Sequence, residues 1–154
     1  MDTTVFDSLI AVLARRMDME KIEKTDDDLC MLEFGDVVVC FRFLHAAGNI
    51  LIFSDLGHMP ETGREAFFRQ LLEANHALFE TAGATLSVYS PLDMVALQYL
   101  CQAETTDEQR FLTIVENFVV VARHWREKCA QFSAEQVPDA EDGNPGGQDF
   151  LLRV

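Results

Sequence analysis

The chain has 154 residues, 49% of them apolar, and a formal charge of −14 that places its isoelectric point near 4.5. That length suits one domain with a real core. The charge argues against polyanionic partners: nucleic acid, whose phosphates need clustered Lys and Arg, and the anionic face of a membrane. Cys30, Cys40, Cys101 and Cys129 have no CxxC spacing and no cysteine–histidine cluster, so they read as reduced, structural thiols and not as a zinc site. The N-terminus MDTTVFDSLIAVLARR lacks the basic start of a secretory signal, and no apolar run approaches the roughly 20 residues that span a bilayer. A cytoplasmic protein with no membrane insertion is expected.

The first element is an amphipathic helix over residues 3–17, with Thr3 or Thr4 as its cap and Asp7 favoured in its first turn. Phe6, Leu9 or Ile10, Leu13 and Met17 form one stripe that Val5 and Val12 widen. A charged connector over 18–28 ends in three aspartates and reads as a solvated loop that guards a sheet edge.

Three strands follow at about 29–34, 36–44 and 49–56. Gly35-Asp36 and Ala47-Gly48-Asn49 supply the turns, so the strands form an antiparallel meander. Val37, Val39, Phe41 and Phe43 lie on one face of the second strand, with Val38, Cys40, Arg42 and Leu44 on the other. In the third, Leu51 and Phe53 alternate with Ile50 and Ile52, so both faces are apolar. A sheet covered on one side only alternates more cleanly. A subunit or an extended peptide is therefore expected to cover part of the second face.

Thr62 with Glu65 suggests a capping box for a second helix that runs from Glu61 or Thr62 to Ala82 and stops at Gly83. Its Phe67, Phe68, Leu71, Leu72, Leu78 and Phe79 exceed what one buried stripe needs. Strands at 84–89 and 93–101 come next, joined by Ser90-Pro91-Leu92-Asp93. Thr105 with Glu108 is the expected cap of a third helix, whose stripe is Phe111, Val115, Phe118, Ala122, Trp125 and Cys129. From Ser133 the composition turns to Pro, Gly and acids. The reading is thus a domain over 1–132 and a flexible acidic tail over 133–154, whose Phe150-Leu151-Leu152 could visit an empty groove.

No catalytic constellation stands out. The four histidines lie on different elements, HExxH and GxSxG are absent, and so are the glycine-rich nucleotide loops. No enzyme, cofactor or metal is expected.

Two segments carry a family resemblance. LLEANHALFETAGATLSVY supplies Leu71, Leu72, Ala74, Asn75, Gly83 and Leu86, and LTIVENFVVVARHWREK supplies Glu116, Asn117, Phe118, Ala122 and Trp125. Together they resemble the class I type III secretion chaperones of the CesT/Tir-chaperone family. The resemblance implies an α+β fold of order α-β-β-β-α-β-β-α, with an antiparallel sheet flanked by helices. It also implies a homodimer that holds the N-terminal segment of a secreted effector extended, soluble and export-competent. By that resemblance Val5, Phe6, Leu9, Leu13, Leu29, Met31, Phe41 and Phe43 are the candidate effector-binding groove. Phe68, Leu72, Phe79, Leu86 and Val88 are the candidate dimer contact. The alternative is a non-secretory regulatory or scaffold protein of YbjN-like shape.

Overall fold

A computed structural model describes residues 3–135. The elements are α1 (Thr4–Arg16), β1 (Leu29–Phe34), β2 (Val37–Leu44), β3 (Asn49–His58), α2 (Arg64–Asn75), β4 (Thr85–Tyr89), β5 (Met94–Gln102) and α3 (Glu108–Glu135). Their order is the one expected. The strands form one antiparallel sheet in the order β1-β2-β3-β5-β4, so β1 and β4 are its edges. Helix α3 continues past Ser133, where the tail was expected to begin. The remainder of that tail, Phe150-Leu151-Leu152 included, lies outside the described residues.

The pairing register sorts the strand residues onto two faces. Cys30 is opposite Phe41, which is opposite Ile52, and Phe43 is opposite Ile50, which is opposite Cys101. These residues are buried, and the helices cover them. Phe6 of α1 stacks on Phe43 with ring centroids 5.7 Å apart, and Phe111 of α3 meets Phe41 at 6.1 Å. The α3 stripe from Phe111 to Cys129 is buried throughout, with Trp125 as a core anchor. Aromatic pairs of this kind add to what their area burial contributes.

The helix ends differ from the expected caps, each for a local reason. The Thr3 hydroxyl donates to Asp7 Oδ2 (2.9 Å) and so caps no backbone N–H. Helix α2 begins after Gly63, which takes a left-handed conformation, and Thr62 and Glu65 form no capping box. Arg64 instead ties the start of α2 to neighbouring loops, donating to the Pro60 carbonyl (2.9 Å) and to Asp93 Oδ1 (3.0 Å). At α3 it is Asp107, not Thr105, that caps, its Oδ1 accepting the Arg110 N–H at 2.8 Å.

The largest departure is at the end of α2. The expected helix to Ala82 stops at Asn75, and a 3-10 turn over His76–Leu78 follows, with positive φ at Ala77, Leu78 and Ala82. Asn75 accounts for the stop. Its Oδ1 accepts the Leu86 N–H (2.8 Å) and its Nδ2 donates to the Leu86 carbonyl (3.0 Å). The carboxamide thus stands where a sixth strand would pair with edge strand β4, and holds the chain in a turn that propensity alone would not choose. Gly83 does not end α2, but it takes the left-handed conformation expected of it: its φ is +87°, and a Cβ there would meet Tyr99 at 3.1 Å.

Candidate binding surfaces

The side of the sheet away from the helices is open. Two rungs of residues cross it: Leu29–Arg42–Leu51–Leu100, and Met31–Cys40–Phe53–Gln98–Thr85. Met31 is 60% exposed and Leu100 55%, Val38 is also exposed, and Leu29, Leu51, Phe53 and Cys40 are half-buried. Adjacent strands lie about 4.8 Å apart, so the rung from Leu29 to Leu100, over four strands, is roughly 14 Å across. A patch of that size on a single chain marks a contact surface.

A second apolar surface lies along the outer side of α2 and the turn after it. Leu72 is 70% exposed and Phe79 88%, with Leu78, Val88, Tyr89 and Leu92 exposed nearby in the chain. Phe68, Leu72 and His76, with Glu65, Arg69 and Glu73 at the rim, line a shallow groove of about 540 Å³.

The eight residues expected to form one groove do not share a surface. Phe6, Leu9, Leu13, Phe41 and Phe43 are buried together in the chain's own core, where they offer a partner no area. Leu29 and Met31 pair with Arg42 and Cys40, whereas Phe41 pairs with Cys30, so they lie on the opposite face of the sheet. Val5 is exposed on α1, on the helix side. Strand periodicity separates two faces but does not say which one the helices take. Of the expected dimer set, Leu72, Phe79 and Val88 are exposed and Phe68 is half-buried. Leu86 is a core residue, opposite Leu97 and held by Asn75.

Sequence reasoning missed Leu100, Val38 and Arg42 as surface-forming residues. The turns at Gly35 and Gly48 could have located the last two, because they set Val38 beside Glu33 and Arg42 beside Leu29 and Leu51.

The thiols behave as buried groups. Burial pushes Cys30 and Cys129 up to about 11 and raises Cys40 and Cys101 as well. Among the described residues no group of three or more His, Cys, Asp or Glu could hold a metal ion, and no helix is long and apolar enough to cross a membrane.

The model of the Tir chaperone protein (CesT) family matches residues 8–126, from α1 through most of α3. The chain belongs to that family. Among solved structures, the fold is similar to the ExsC-ExsE complex at a TM-score of 0.71 and 20% identity, covering 84% of this chain and 97% of that one. The HopA1-SchA chaperone-effector complex matches at 0.66 and 14% identity, over 82% and 98% of the two chains. The Yersinia pestis type III secretion chaperone SycH, solved with a stable fragment of YscM2, matches at 0.62 and 15% identity, over 78% and 98%. No curated protein matches the sequence significantly. The family is one of chaperones, not of enzymes.

Proposed function

We propose that this protein is a cytoplasmic type III secretion chaperone. It works as a homodimer that holds the N-terminal segment of a secreted effector in extended, export-competent form. The observation that carries this reading is the open sheet face: largely apolar over four strands and left bare by the helices of the described residues. An extended segment can lay alternate side chains on such a face, or pair with a free strand edge, without a cofactor or bond-making chemistry. Similar folds solved as complexes with a bound protein support the assignment. The charge of −14 keeps the chaperone soluble while it holds an apolar client.

The second apolar surface serves the dimer in this account. Phe68, Leu72, Phe79 and Val88 form the contact, with Leu78 and Tyr89 beside them. Two subunits then offer two sheet faces along one wrapped client, which raises affinity without new contacts. The test is the mass of Leu72→Asp/Phe79→Asp in solution. Light scattering is expected to fall from twice 17.4 kDa to 17.4 kDa with secondary structure intact. A wild-type chain that is monomeric throughout would remove the dimer from the account.

A further inference from the structure

Among the described residues, Arg42 is a cation of the open face with no hydrogen-bond or ion-pair partner. Arg42 stands in the rung between Leu29 and Leu51, with Leu100 beyond, so apolar side chains flank it on both neighbouring strands. Its Nε is buried and donates to nothing, and it forms no ion pair with any carboxylate of the described residues. Arg16, Arg64, Arg69, Arg123 and Arg126 meet acids, and Arg15 and Arg110 do not; among the described arginines Arg42 alone has a buried donor atom with no acceptor. Asn49, two residues before Leu51 and on the same face, also has a buried Oδ1 with no donor. An orphaned donor and an orphaned acceptor thus lie at the same end of the same open strip.

A buried charged donor left unmade is unfavourable, and a guanidinium presents a planar fork that fits a carboxylate. Charge at the other end of the strip has the opposite sign. Glu33 pairs with Val38 and Asp55 with Ala96, four residues along β2 from Arg42 and therefore about 13 Å away.

We propose that Arg42 selects the segment held by this face, by taking the carboxylate of an Asp or Glu in that segment. Asn49 accepts an N–H from the same stretch, and the end beside Glu33 and Asp55 admits neutral or basic side chains. The inference rests on the chaperone reading above and adds to it a rule of selection. An apolar strip alone would accept any greasy peptide, whereas a half-buried cation with an unpaired donor disfavours a segment that leaves it without an acceptor.

The experiment selects a displayed library of random 20-residue segments, with acidic and basic residues at equal input frequency, on the purified full-length chain. Wild-type selections are expected to be enriched at least threefold in Asp or Glu flanked by large apolar residues. Arg42→Met should keep the apolar preference and lose the acidic one, and Arg42→Glu should turn the preference towards Lys and Arg. Melting curves establish that the variants fold. Arg42→Gln, which keeps a polar side chain in place, carries the comparison if Arg42→Met does not fold. Equal acidic enrichment on wild type, Arg42→Met and Arg42→Gln overturns the proposal while leaving the chaperone reading intact. A wild-type chain that selects no segments overturns both.

Discussion

The two faces of the sheet are made of similar residues, yet the helices of the described residues cover only one. On the helix side, Phe41 and Ile52 are buried under Phe111, and Phe43 and Ile50 lie beside Phe6. On the other side Met31, Leu51, Phe53 and Leu100 form a largely apolar strip that no helix of the described residues covers. Burial of apolar area stabilises by roughly 25 cal/mol per Å² wherever it is completed. The first face therefore holds the fold together, and in the proposed function a partner completes the burial of the second. Substitutions on the two faces should separate accordingly.

The largest effect belongs to the covered face. Phe6→Asp removes a fully buried ring and puts a charge in its place. Truncating such a phenylalanine costs about 3–5 kcal/mol, and the unpaired carboxylate adds to that. Thermal or urea unfolding should find the variant largely unfolded; a folded variant that has merely lost its client would return Phe6 to the groove.

Asn75→Ala comes next, because it removes both hydrogen bonds to Leu86 that end α2 and shield the β4 edge. Part of the loss is recovered by water at the edge, so the expected cost is about 1–2 kcal/mol. A domain of this size should then melt roughly 2–8 °C lower. No change in melting temperature would show that the turn at Ala77 and Leu78 stands without the amide.

The smallest effect reports on the open face without altering it. Cys40 lies on that face while Cys30, Cys101 and Cys129 are buried, so one thiol per chain should react with a maleimide in the native state. Burial raises the Cys40 thiol as well, so the reaction should be slow at neutral pH and quicken as pH rises. A bound client should suppress it. Labelling of two or more thiols at equal rates would mean that the two faces are not distinct in solution.

Much of this architecture was legible beforehand, because period and turn chemistry are local. Gly35 and Gly48 mark the meander, and the α3 stripe from Phe111 to Cys129 needs no tertiary knowledge. The end of α2 was not legible: Asn75 acts on Leu86, eleven residues away, and no local rule announces a side chain that pairs with a strand edge. The candidate groove failed to emerge as one surface for a related reason. Alternation grouped Phe41 with Val37, Val39 and Phe43 correctly, but it set no face for Met31, and only the packing of α1 and α3 decides which face remains bare. The excess of apolar residues in β3 was the one sequence feature that pointed to that bare face.

The central claim is that the bare sheet face holds a client while α2 and its following turn hold the second subunit. It is tested most directly by co-purification from the native bacterium of tagged wild type, Met31→Asp/Leu100→Asp and Leu72→Asp/Phe79→Asp, each sized by light scattering and identified by mass spectrometry. The account predicts that wild type carries a partner bound through its N-terminal segment, and that Met31→Asp/Leu100→Asp loses this partner yet stays dimeric. Retention of the partner at wild-type level by Met31→Asp/Leu100→Asp would contradict it.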